Sequence, residues 1–229
     1  EVPMSFRVIM AGLRTMGTEQ NRNVYARHGV GKNMYGVSYA NLNKLKKKID
    51  VDQALAEQLW ASGNHDARVL ATMVSDPVKI KSGVLDAWVK DVDSYVLGDA
   101  LRDLVAGTPF AFKKFEKWSR SKSEFVGQVG WGLLSFLASH SEDLNNAFFI
   151  EQLKTIDAEV HARPNRIRHS MNGAIITIGA RNATLRKRAT AAANRIGTIV
   201  VDHGDTNCTT PAAVPYIDKM WKRKEAKGK

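Results

Sequence analysis

The sequence predicts an all-α chain of about a dozen short helices joined by short loops. Three observations carry that reading. Apolar residues recur at helical spacing between cap residues and Gly or Pro stops along the whole chain. No stretch alternates apolar and polar residues over several strands; Ile199–Val201 is the single strand candidate, and it stands alone. Trp60, Trp88 and Trp118 are 28 and 30 residues apart, each near a helix end. That approximate period suggests helix pairs stacked into a solenoid, expected as one curved domain over residues 1–229.

The elements follow in order. Val2–Met16 sets Phe6, Ile9, Met10 and Leu13 at helical spacing. Asn21–His28 is a second short helix, stopped by the loop GVGKNMYGV. Ser38 caps SYANLNKLKKKI, where Leu42, Leu45 and Ile49 form the apolar stripe. Lys44, Lys46, Lys47 and Lys48 occupy its other faces. Asp52–Trp60 runs toward a stop at Gly63, and Asp66–Val74 ends at Ser75-Asp76-Pro77. An Asp cap followed by Pro at the first helical position starts a new helix there. Val84–Leu104 reads as one helical segment ending near Gly107. Thr108-Pro109 repeats the cap-plus-proline signal and launches a helix through Trp118. Glu124–Ala138 is apolar enough to be buried, and Ser141 opens NNAFFIEQL. Arg163-Pro164 breaks the chain before Asn165–Ile178. Asn182 or Thr184 starts TLRKRATAAANRIG, closed by Gly197. Thr210-Pro211 opens the last helix, whose basic tail at 220–229 is expected to fray.

Charge narrows the partner. Lys and Arg exceed Asp and Glu by 11, with a pI near 9.8. A polyanion, most simply nucleic acid, is favoured through phosphate contacts and counterion release. Residues 181–229 hold 11 basic against 4 acidic residues, so +7 of the excess lies in the last fifth. Phosphate contacts are expected from Lys44, Lys46, Lys47 and Lys48, and from Arg181, Arg186, Lys187, Arg188 and Arg195. A lone Cys208 fits a reducing cytosol, and no 18-residue apolar run or leader pattern is seen. A cytoplasmic, monomeric protein without membrane contact is the expectation.

The central stretch VLDAWVKDVDSYVLGDALRDL carries the candidate site. Tyr95 precedes Asp99 by four positions, so the two share a helix face. Asp93 and Trp88 lie just upstream. A ring beside a carboxylate can receive a flat cation. The plainer alternative has Tyr95 half-buried and Asp99 paired with Arg102 on a solvated face.

Several pieces resemble the bacterial DNA alkylation repair enzymes, alkylpurine DNA glycosylases built from HEAT-like repeats. They are YGVSYANLNKLKKKI, LAEQLWASGNHDARVLATMV, SYVLGD, KWSRSKSEFVGQVGWGLLSFLA and RIRHSMNGAIITIGARN, spanning most of Tyr35 to Asn182. The ending VDHGDTNCTTPAAVPYIDK is similar to a subgroup of that family. The resemblance implies a HEAT-like α-α superhelix acting on alkylated double-stranded DNA without a cofactor. It further implies hydrolytic release of N3- or N7-alkylated purines, with Asp99 (or Asp93, if the match slips by six) as the essential carboxylate. Tyr95 and Trp88 would contact the base, in a concave cleft edged by Gln128 and the helix around Gly173. Two departures stand out: Gln128 falls where the family has Arg, and Gly173 falls near a position usually aromatic. Trp131 could stand in as the second ring.

Other constellations are weaker. Asp202, His203, Asp205 and Cys208 fall short of the paired spacings of a zinc site, and a turn with Asp–backbone hydrogen bonds is favoured; no metal is expected. A Cys/His nucleophile rests on the same two residues. His169, on an apolar helix, reads as a packing residue. Three functions remain: a glycosylase for cationic bases, a non-catalytic DNA-binding protein on the same scaffold, and a helical-repeat protein adaptor, the last disfavoured by the basic charge.

Overall fold

The computed structural model describes residues 4–227. Among them are thirteen α-helices, one 3-10 turn at Val160–Ala162 and no strand. The helices are α1 Phe6–Met16, α2 Glu19–Arg27, α3 Tyr39–Ile49, α4 Gln53–Ala61, α5 His65–Val74, α6 Ser82–Lys90 and α7 Tyr95–Ala106. They continue with α8 Ala111–Trp118, α9 Glu124–His140, α10 Asn146–Glu159, α11 Asn165–Gly179, α12 Ala183–Ile196 and α13 Ala213–Lys227. Short polar side chains define the starts. Thr18, Ser38, Asp52, Asn64, Ser94, Asn145 and Asn182 each accept a backbone N–H three residues on. Such a cap contributes about 1 kcal/mol.

The structure departs from the sequence reading at several ends. Val84–Leu104 is two helices, α6 and α7, parted at residues 91–94 where Ser94 caps the second. The apolar period hid this break, because Val92 in the turn is buried like Leu85 and Val89 before it. Asp76-Pro77 makes a turn, its carboxylate accepting from Val78 and Lys79 N–H, and no helix begins until Ser82. Asn145, not Ser141, caps α10. Ile199–Val201 has no strand partner. The tail is helical through Lys227: the Trp221 indole donates to Gly179 O at 2.9 Å, and Arg186 lies 5.0 Å over its ring.

The chain divides into two compact units. One runs to Phe110 and includes Gly204–Thr206; the other comprises Ala111–His203 and the residues from Asn207 onward. In the first, α3, α5 and α7 lie in a row, α4 pairs with α5, and α1 packs on both. Trp60 and Trp88 stack at 4.3 Å with ring planes 2° apart, joining one helix pair to the next. In the second, α8 and α9 form a hairpin; α9, α11 and α13 make one row, and α10 and α12 pack together. Gly130 allows the hairpin to close, since a Cβ there would lie 2.4 Å from Ser119 N.

Arginines tie helix ends within each unit. Arg68 donates to Trp60 O at 3.2 Å and Asp91 O at 3.1 Å. Arg163 donates to Ser119 O and Ser121 O at 2.8 and 2.9 Å. Arg181 reaches Ala138 O, Ser141 O and Leu144 O at 2.8, 2.6 and 3.2 Å, and lies 4.9 Å over the Phe149 ring. The last carbonyls of a helix lack partners inside it, and a guanidinium fork satisfies several at once.

Candidate functional site

A groove of about 440 Å³ lies in the first unit between α3, α5 and α7. Helical spacing builds both walls. Tyr95, Asp99 and Asp103 are i, i+4 and i+8 on α7; Tyr39, Asn43 and Lys46 are i, i+4 and i+7 on α3. Thr72 and Met73 of α5 lie between.

Asp99 Oδ1 accepts from Arg102 Nη1 at 2.9 Å, and the same guanidinium holds Asp103 Oδ1 at 2.8 Å. The Asp99 side chain is 47% exposed. The Tyr95 hydroxyl hydrogen-bonds His28 Nδ1, with the two rings 5.9 Å apart. Burial pushes the Tyr39 hydroxyl up to about 12, helped by Tyr25, Asp99, Asp103 and Asp66. The groove is therefore anionic on the α7 side and aromatic at one end.

The loop before α3 positions that wall. The fully buried Asp66 carboxylate accepts three N–H groups, from Tyr35 at 2.6 Å, Gly36 at 3.1 Å and Val37 at 2.7 Å. Gly36 has φ +79°, and a Cβ there would meet Thr18 O at 2.6 Å. Tyr25 donates its hydroxyl to Val37 O at 2.5 Å. His65 is buried beside this clamp, its ring held below the ordinary histidine range by burial while Asp66 and Asp93 pull the other way. Asp66 read as a helix start in the sequence; its reach back over about thirty residues left no local signal.

The remaining expected residues are dispersed. Asp93 is exposed in the turn before α7, off the helix that carries Tyr95. Trp88 belongs to α6 and is 5% exposed against Trp60, so it offers no face to a ligand. Gln128 and Trp131 are buried in α9, the indole donating to Ser119 O at 3.1 Å. All three side chains, expected as base contacts, lie in the core and outside the lining of the groove. At Gly173 a Cβ would meet Ser135 Oγ at 3.7 Å, an ordinary contact.

The basic residues divide similarly. Lys44, Lys46, Lys47 and Lys48 are exposed on α3, and Lys187 and Arg188 are exposed on α12. Arg181, expected among the phosphate contacts, donates to three carbonyls. Arg186 pairs with Asp218 at 2.8 Å and Arg195 with Asp157 at 2.7 Å. Around the lone cysteine, His203 Nε2 meets Thr210 Oγ1 at 2.8 Å. Among the described residues no group of three His, Cys, Asp or Glu side chains is arranged for a metal, and no helix is long and apolar enough to cross a membrane.

The sequence family described as DNA alkylation repair enzyme matches residues 9–216. An uncharacterized protein of Listeria innocua is 27% identical over 228 residues, covering 96% of this chain and 99% of its own length. An uncharacterized protein of Listeria monocytogenes matches with the same identity and coverage. Among solved structures, one superposes with a TM-score of 0.87 at 25% identity, over 96% of this chain and 95% of that one. It is described as a new family of proteins related to the HEAT-like repeat DNA glycosylases with affinity for branched DNA structures. The similarity extends over nearly all of both chains, so the all-α, HEAT-like repeat fold is shared.

Proposed function

Since this chain belongs to the DNA alkylation repair enzyme family, we propose that it serves DNA repair by binding distorted or branched DNA through the phosphate backbone, without excising bases. The state of Asp99 carries this reading. A carboxylate that stabilises a developing sugar cation acts by its unbalanced charge. Asp99 is already opposed by Arg102 at 2.9 Å, which also spans Asp103. The rings that would sandwich a cationic base are absent from the groove beyond Tyr95 and Tyr39, because Trp88 and Trp131 lie in the core. Binding has a separate basis. The exposed Lys44, Lys46, Lys47 and Lys48, with Lys187 and Arg188, suit phosphate contacts that need no base identity. The relative with branched-DNA affinity supports the same direction.

The test compares a four-way junction with a linear duplex of the same length across a salt series. Tighter junction binding, weakening with salt at a slope of roughly 0.9 per phosphate contact, is the expected result. Equal affinity for the two, or no binding to either, overturns it.

A second reading, a glycosylase for alkylated purines with Asp99 as the carboxylate, is favoured by the Tyr95–Asp99 pair on the wall of a groove large enough for a base. Excision from methylated duplex that disappears in Asp99→Asn would establish it in place of the first.

A further inference from the structure

Between α12 and α13 the chain runs from 198 to 212 without helix or strand. A row of side chains on one face of α11 holds it. Asn165, His169 and Asn172 are i, i+4 and i+7 on that helix. Asn165 exchanges two hydrogen bonds with the Asp202 backbone, both at 2.7 Å. Asn172 Nδ2 donates to Pro211 O at 2.9 Å. Between them, His169 Nδ1 and His203 Nε2 both meet the Thr210 hydroxyl, at 3.2 and 2.8 Å. The two rings stand perpendicular, 5.5 Å apart.

We propose that residues 198–203 and 207–212 form an acid-released strap, latched to α11 while His169 and His203 share the Thr210 hydroxyl and freed when both rings take up a proton. The hydroxyl has one hydrogen and can accept as well as donate. With neutral rings, one imidazole accepts its O–H and the other donates N–H to Oγ1. One added proton is tolerated, because a cationic ring can still donate while its partner accepts. The second turns the remaining acceptor nitrogen into a donor, so the hydroxyl loses its O–H···N bond, and it sets two cations side by side with ring centroids 5.5 Å apart. Among the described charged groups, Arg166 from α11 opposes both charges, and Asp202 from the strap favours only that of His203.

Burial, the partner ring and Arg166 hold His169 below its ordinary value of 6.5; burial and Arg166 do the same for His203 against the pull of Asp202. A lowered value in the docked state means that the released strap binds more protons. Docking is therefore fully stable above about pH 6.5 and weakens as pH falls through the docked-state values. Where both protons are taken up together, opening rises at most about a hundredfold per pH unit. This inference stands apart from the DNA reading, since every group in it lies on α11 or the strap.

Amide hydrogen exchange on the whole chain tests it, corrected for the intrinsic effect of pH, between about pH 7.5 and pH 5. Protection is expected to fall in peptides covering 198–203 and 207–212 while α12 keeps its own. His169→Gln combined with His203→Gln should make strap exchange independent of pH. Strap protection that is constant with pH, or lost together with α12, overturns the proposal. So does a double variant that keeps the parent's pH dependence. If that variant does not fold, histidine C2–H titration of the parent decides: depressed, mutually dependent values support the latch, and two independent values near 6.5 sink it.

Discussion

The lysines of α3 and the arginines of residues 181–195 look alike in a charge count and are used differently. Four lysines on α3 stand exposed around an apolar stripe of Leu42 and Leu45. Of the four arginines, Arg181 ties three carbonyls, Arg186 pairs with Asp218 and lies over the Trp221 ring, and Arg195 pairs with Asp157, while Arg188 stands exposed like the lysines. The difference follows from the head groups. A planar guanidinium is weakly hydrated and fits several fixed acceptors at once, whereas an ammonium keeps its water and its mobility. A basic stretch rich in Arg can therefore be a structural device even in a protein that binds polyanions.

Four variants can break or sharpen that contrast. Asp66→Asn should have the largest effect, because it removes the charge from a fully buried acceptor of three N–H groups that sets the entry to α3. A loss of about 4 kcal/mol in urea unfolding is expected. Arg181→Ala should cost about 3 kcal/mol in the same measurement, by orphaning carbonyls at the end of α9. A stable Arg181→Ala protein with a shallower salt slope for DNA would instead point to a phosphate contact for Arg181. Lys47→Ala with Lys48→Ala should do the reverse: unchanged unfolding, and a slope of log K against log salt shallower by about 1.8. Arg186→Ala should be smallest on stability, about 0.5 kcal/mol, since its bond to Asp218 is partly exposed and screened.

What was legible in the sequence was local. Ser38, Asp52 and Asn182 announced helix starts by short polar side chains, and the Trp60–Trp88–Trp118 interval announced stacked pairs. Tyr95 and Asp99 do share a helix face, yet the Asp99–Arg102 pair was the plainer of the two readings offered for it. Contacts made across long stretches of chain were not legible. Asp66 reaches Tyr35, Arg181 reaches Ala138 and Asn172 reaches Pro211, and composition cannot distinguish those residues from solvated neighbours. The place of Trp131 in the core was illegible for the same reason: an indole at helical spacing is core unless something holds it out, and here its N–H bonds Ser119 O twelve residues back. The strap over α11 was missed because its signal is a pairing of Asn165 and His169 with residues about forty positions away.

The central claim is recognition of DNA shape without base excision. One paired experiment addresses it most directly: affinity for a four-way junction and for a linear duplex, with excision from methylated duplex followed in the same protein preparation. The account predicts tighter junction binding that weakens steeply with salt, and no base released. Base release abolished by Asp99→Asn, or equal affinity for junction and duplex, would contradict it.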